Sequence, residues 1–189
     1  GFLVHQPPGS VTQPHFHTAN QFQVFVGGSG RFGKKAVDSL AVQYANGHTP
    51  YGPIVAGDDG VAYFTLRQRW DPGAKYMPRM RDLLERGNQR QRMVIAKDVD
   101  GSASTARGSE PTNTALLEAE PDGLGATLVR LPAGASTRLD DARNGGGQYH
   151  VVVDGSLVHE GQTLPALSCQ YATPDEGSVL VRAGTDGVT

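Results

Sequence analysis

One stretch of this chain occurs twice. Gln21-Phe22-Gln23-Val24-Phe25-Val26-Gly27-Gly28-Ser29 is matched by Gln148-Tyr149-His150-Val151-Val152-Val153-Asp154-Gly155-Ser156, at an offset of 127 (148 − 21). The offset holds without a gap from Leu40 and Leu167 through Gln43-Tyr44-Ala45 and Gln170-Tyr171-Ala172. It continues through Ala56-Gly57 and Ala183-Gly184 to Asp59-Gly60-Val61 and Asp186-Gly187-Val188. A fixed internal period outweighs most local propensity arguments, because both copies must be built as the same unit. The chain is therefore read as two lobes of one kind.

The kind is all-β. The chain carries 25 glycines and 12 prolines, and long apolar periodic helices are scarce, which favours a turn-rich fold of short strands. Extended runs are expected at Phe2–His5, His15–His17, Gln21–Val26, Leu40–Ala45, Pro53–Ala56 and Ala62–Arg67. Turn residues such as Gln6-Pro7-Pro8-Gly9 and Gly57-Asp58-Asp59-Gly60 separate them. The first lobe is expected over 1–69, a connector over 70–115 and the second lobe over 116–189. In the connector Pro72-Gly73 breaks the strand pattern. Met80, Leu83 and Leu84 recur at helical spacing before Gly87-Asn88, which predicts one short helix over Pro78–Arg86. Gly101–Thr114 reads as a loop. The sequence opens inside an extended run and stops short of the second lobe's last strand, so it reads as trimmed.

His15-Phe16-His17 is the stretch with chemistry in it. Residues i and i+2 of a strand point to one face, so the two imidazoles project side by side and Phe16 faces away. Two histidines on an inner face are costly to bury unpaired, and a divalent metal is the commonest partner. The spacing Gly9, five residues, His15-x-His17, three residues, Gln21, six residues, Gly28 resembles the first motif of the cupins, with Gln21 where the family has glutamate. The resemblance implies tandem jelly-roll barrels, a bicupin of double-stranded β-helix type, with a metal held by histidines: iron first, with zinc, manganese or nickel as alternatives. It also implies a homodimer.

The repeat serves as an internal control. His15, His17 and His48 fall opposite Ala142, Asn144 and Asp175, so the second lobe keeps the strand residues and lacks these histidines. A metal is therefore expected in the first lobe only, on His15, His17 and His48. Gln148 stands opposite Gln21, so a glutamine there can serve the architecture alone; Gln21 remains a ligand candidate through its amide oxygen. His48 lies in the region of the family's second motif, of which the other residues are missing. His5 is a substitute candidate. Gln23 shares a face with Gln21 and is expected as a substrate contact in the catalytic pocket. Tyr63, Thr65 and Arg67 share one face of a strand and Ala62, Phe64 and Leu66 the other; the apolar set is expected inward. Arg67 or Arg69 either belongs to a solvated basic connector or reaches a carboxylate-bearing substrate. His150 and His159 are expected to be structural, and Cys169, opposite Val42, a small core residue.

These readings converge on a metal-dependent cupin enzyme acting on a small organic molecule, a mononuclear iron dioxygenase first. Isomerase, decarboxylase or lyase chemistry and a non-catalytic ligand-binding cupin stand as alternatives. The net charge of −2 gives no nucleic-acid or membrane footprint, and no apolar run is long enough to span a bilayer. One cysteine excludes an internal disulfide and fits the cytoplasm.

Overall fold

The computed structural model describes residues 1–38, 40–87, 89–96 and 110–189. Asn88, Lys97 and most of the expected 101–114 loop lie outside the described residues. The chain divides into two compact units, 1–99 and 100–189.

In the first unit, strands β1 (Phe2–Gln6), β7 (Ile54–Leu66), β4 (Gln21–Phe32), β6 (Ala41–Ala45) and β9 (Gln91–Ile95) lie side by side in that order. The short strands β2 (Val11–Thr12) and β5 (Lys35–Val37) are added to β7 and β4. All these pairs are antiparallel. A second small ladder joins β3 (His15–Phe16) to β8 (Lys75–Tyr76).

The alternation along β4 decides which face is inner. Gln21, Gln23 and Phe25 are buried, while Phe22, Val24 and Val26 are half-buried. Phe25 packs with Phe32, Ala41, Ala45, Ile54 and Tyr63 in one apolar cluster, so the odd-numbered residues of β6 and of β4 as far as Phe25 face the interior, and the bulges that follow bring Phe32 to the same side. Tyr63 belongs to that cluster and Thr65 pairs in register with Gln23, so the polar set Tyr63, Thr65 and Arg67 is the inward one. This reverses the expectation for β7. Phe64 and Leu66 are buried as well, and burial on both faces erases the pattern that would have distinguished them.

In the second unit β12 (Ser136–Asp141), β17 (Ser178–Val188), β14 (Gly155–His159) and β15 (Gln162–Pro165) form one sheet. β13 (Gln148–Val151) pairs with β16 (Cys169–Ala172), and β10 (Thr112–Leu117) with β11 (Ala126–Arg130). The registers repeat those of the first unit. Gln21↔Ala45, Gln23↔Gln43 and Gly30↔Val37 become Gln148↔Ala172, His150↔Gln170 and Leu157↔Leu164, each 127 residues on. The sequence repeat is thus a repeat of strand pairing.

Two expectations are corrected. The helix over Pro78–Arg86 is only a 3-10 turn, Arg81–Leu83, with no buried residue; Leu83 is 52% exposed. Its apolar spacing has no surface to pack on, and a helix this short is not stable without one. Cys169 is exposed rather than in the core. Its counterpart strand β6 is enclosed between β4 and β9, whereas among the described residues β16 pairs with β13 alone.

Candidate functional site on the inner face of the first unit

His15 and His17 are both buried, and their ring centroids lie 5.1 Å apart. Each ring is anchored by its Nδ1. His15 Nδ1–H donates to the Gln13 carbonyl at 2.7 Å, and His17 Nδ1–H donates to Asp71 Oδ1 at 2.7 Å. These bonds fix the tautomers, leaving both Nε2 atoms as acceptors. Tyr51 donates its hydroxyl proton to His15 Nε2 at 2.9 Å, and Arg67 Nη2 lies over the His17 ring, 3.1 Å from both Nδ1 and Nε2.

Gln21 links the two halves. Arg67 can only donate, and its Nε–H reaches Gln21 Oε1 at 2.9 Å, which leaves the Gln21 amide N–H to donate to the Tyr51 hydroxyl. The hydrogen bonds therefore run one way: Arg67 to Gln21 to Tyr51 to His15 to the Gln13 carbonyl. A second branch runs from Arg67 to His17 to Asp71. A glutamine at position 21 both accepts and donates, which a carboxylate cannot do.

Asp71 holds the second branch in place. Its carboxylate accepts from His17, from the backbone N–H groups of Thr18, Ala19 and Gly73, and from the Thr18 hydroxyl. Burial opposes its ionisation, but the bonds from His17 and from the Gly73 and Ala19 amides outweigh it, so the carboxyl titrates well below its ordinary value. Burial lowers His17 to about 4; the Asp71 bond opposes this and the Arg67 charge adds to it. His15 is lowered for the same leading reason, and burial pushes the Tyr51 phenol up. At neutral pH the cluster is two neutral imidazoles, a protonated phenol, an amide, one guanidinium and the Asp71 carboxylate, which lies 2.7 Å from His17 Nδ1 and 3.9 Å from Arg67 Nη1.

The other sequence candidates lie elsewhere or deeper. His48 takes a left-handed backbone, φ 58°, and its ring packs 5.5 Å from Phe16, on the side that His15 and His17 turn away from. Its Nδ1 accepts from the Glu85 N–H at 3.1 Å. His5 is exposed on β1. Gln23 is buried on the same face as Gln21, one inward position further along β4. Arg69 donates to the Thr18 carbonyl at 2.8 Å. In the second unit His150 Nδ1 lies 3.0 Å from Gln170 Nε2, and His159 Nδ1 lies 3.2 Å from the Leu180 carbonyl.

Sequence reasoning missed Tyr51 and Asp71. Asp71 sits in Trp70-Asp71-Pro72-Gly73, where the turn chemistry was visible but its docking onto Thr18 was not. Tyr51 follows Thr49-Pro50 in a loop whose pairing with His15 is an isolated bridge.

No family model and no curated protein matches the chain. Solved structures do match, across nearly its whole length. A candidate dioxygenase from Nostoc punctiforme aligns at a TM-score of 0.69 and 13% identity, covering 98% of this chain and 65% of its own. Oxalate decarboxylase from Bacillus subtilis, as a mutant, aligns at 0.59 and 12%, covering 98% and 66%. A cupin 2 conserved barrel domain protein from Leptotrichia buccalis aligns at 0.53 and 12%, covering 98% and 78%. The chain thus spans about two thirds of the length of the first two, and its fold is the cupin fold.

The structural neighbours suggest a divalent metal, for which the His-x-His pair is the natural place, and as they stand the residues around that pair do not complete a ligand set. Among the described residues, no group of three or more His, Cys, Asp or Glu side chains comes together. His48 packs on Phe16, away from the pair, and no carboxylate replaces the glutamate of the motif at Gln21. A guanidinium, itself a cation, stands within hydrogen-bond distance of both His17 Nε2 and Gln21 Oε1, two atoms a metal would need.

Proposed function

We propose that the first unit binds a small organic anion against Arg67 and acts on it by proton transfer, with His17 as the base. The observation that carries this reading is the Arg67 guanidinium, whose side chain is only 14% exposed and is fixed by Gln21 and His17 on the inner face. A planar guanidinium recognises a carboxylate through two parallel N–H donors. An anion drawing Arg67 toward itself frees the His17 Nε2 lone pair and neutralises the charge that disfavours its protonation. Asp71 behind Nδ1 then orients the ring and stabilises the imidazolium that forms when His17 takes a proton from a carbon beside the anion. Tyr51, held protonated and backed by His15, is the donor available from the other side. Isomerisation or elimination of a small organic acid is the class of reaction this arrangement serves.

A second reading is the metal-dependent one, with iron in a dioxygenase as its leading form and zinc, manganese or nickel as the others. One observation favours it. Both histidines have Nδ1 anchored by a carboxylate or carbonyl and Nε2 turned to a common place, as metal-binding histidines do. His15, His17 and Gln21 would hold the metal once Arg67 had moved away. Quercetin 2,3-dioxygenase from Acinetobacter baumannii is among the structural neighbours, at a TM-score of 0.54 and 14% identity.

Metal analysis of protein purified without a metal-affinity tag, together with calorimetric titration of small carboxylates, separates the two. The first reading expects no stoichiometric metal, and carboxylate binding that weakens at least about tenfold in Arg67→Met. One metal per chain, lost in His15→Ala with His17→Ala, would establish the second.

A further inference from the structure

Two buried amides lie beyond Arg67 on the same inner face. Gln43 is fully buried, and neither its Nε2 nor its Oε1 has a hydrogen-bond partner; Gln23 is 3% exposed, and its Oε1 has none. They stand directly opposite one another in the β4–β6 register. The face is the interior one, because Ala41 and Ala45 flank Gln43 and belong to the apolar cluster with Phe25. Leaving a buried polar atom without a partner is destabilising, so an apolar pair here would stabilise the fold. The two glutamines therefore have polar groups to offer a further partner.

The second unit shows that the same pair can be closed. At the offset of 127, Gln23 and Gln43 become His150 and Gln170, also in register, and there the Gln170 Nε2 atom lies 3.0 Å from His150 Nδ1. One histidine in place of one glutamine gives Gln170 a partner. The first unit keeps its amide ends open, on the face that carries Arg67, Tyr51 and the His-x-His pair.

We propose that Gln23 and Gln43 form the second polar end of the ligand site, so that the ligand is a small organic acid with a hydroxyl or carbonyl oxygen at its far end. This rests on the reading that Arg67 takes the carboxylate. Gln43 donates an amide N–H to the far oxygen, and Gln23 Oε1 accepts the proton of a hydroxyl. Gln21, which binds Arg67, and Gln23 are two residues apart on β4, roughly 6–7 Å along the strand, which sets a ligand of about four to six heavy atoms, or one ring, between the two ends.

Paired acids on one skeleton test this: butanoate against 4-hydroxybutanoate, and benzoate against 4-hydroxybenzoate, titrated calorimetrically into the full chain and into Gln43→Leu. Wild type is expected to bind the hydroxyl-bearing acid of a pair at least tenfold more tightly. Gln43→Leu is expected to lose most of this preference, keeping only what Gln23 supplies, and to unfold at the same or a higher temperature, since it removes unpartnered buried groups. Acids that bind through Arg67 without a hydroxyl preference would overturn this inference alone. So would a Gln43→Leu variant that loses stability or keeps the preference. Binding of neither pair to wild type would overturn the Arg67 reading and this inference with it.

Discussion

Asp71 and His17 are separated by 54 positions in the chain and by 2.7 Å in the folded protein. The carboxylate does more than pair with the ring. It gathers the backbone amides of Thr18 and Ala19, so one side chain fixes both the tautomer of the histidine and the turn that follows it. The segment after β7 thereby belongs to the site rather than to a connector.

Removing Asp71 should therefore hurt twice. Asp71→Ala leaves the His17 Nδ1–H, the backbone N–H groups of Thr18, Ala19 and Gly73, and the Thr18 hydroxyl without their acceptor, and hydrogen bonds to a charged group are worth about 1.5–3 kcal/mol each when unshared. A loss of about 3 kcal/mol is expected in urea unfolding, discounted from the sum because the bonds share one carboxylate. Asp71→Asn keeps an acceptor for His17 but turns an N–H group toward the Thr18 amide, so it should recover only part. Equal stability of wild type and Asp71→Ala would show that the carboxylate is not holding the turn.

Gln21→Glu tests the direction of the hydrogen-bond chain. A glutamate accepts from Arg67 more strongly but has no proton for the Tyr51 hydroxyl, which then turns to the carboxylate and leaves His15 Nε2 without its donor. Carboxylate affinity should fall at least about tenfold, because Arg67 is already paired. Combined with Arg67→Met, the same change restores an acidic donor and removes the resident cation. The double variant should acquire a cobalt(II) absorption band that wild type lacks. A wild-type protein with the same band would contradict the assignment of Arg67.

The pH dependence follows from His17. Its pKa in the folded chain is about 4, below the ordinary 6.5, so between those values the unfolded chain binds more protons than the folded one. Stability should therefore fall as pH drops from about 6.5 toward 4, by an amount on the order of 3 kcal/mol from this group. His15, lowered in the same direction, adds to the same limb. Asp71 acts lower, since its depressed pKa gives stability that is lost only as pH falls below about 3.8. Urea midpoints measured at about pH 7 and about pH 4.5 in wild type and His17→Gln check the assignment, because the glutamine variant should lose most of the slope.

Much of the fold could be read from the sequence because strand alternation and a constant offset are both local signals. Gln21 to Val26 reads as a half-buried strand and its copy at Gln148 repeats the pairing, although its polarity pattern alone does not mark Gln21 and Gln23 as inward residues. The His-x-His pair was legible for the same reason. What was not legible depended on contacts between distant segments. Nothing near Asp71 shows that its turn closes over Thr18, and nothing near Tyr51 shows that its hydroxyl meets His15. His48 stood in the region of the second motif without that motif's other residues, and in the structure it takes left-handed backbone and packs its ring on Phe16. Arg67 was visible as a candidate, yet its face was not, because both faces of β7 are buried at that end.

The two glycines of the His-x-His motif look equivalent in sequence, and the structure separates them. Gly9 and Gly28 both take left-handed backbone, φ 68° and 70°. A Cβ added at Gly9 meets nothing within 4 Å, whereas at Gly28 it would fall on the carbonyl of Gly60, where β4 and β7 cross closely next to the Gly28↔Val61 pair. Gly9→Ala should therefore show only the left-handed penalty, about 1–2 kcal/mol. Gly28→Ala adds a backbone collision that no rotamer relieves, with overpacking of this kind worth about 1–3 kcal/mol more. Chemical denaturation of the two variants side by side decides the matter: a gap of at least about 1 kcal/mol, with Gly28→Ala the weaker, is expected if close strand approach is what requires glycine there. Equal losses would mean that backbone conformation alone explains both positions.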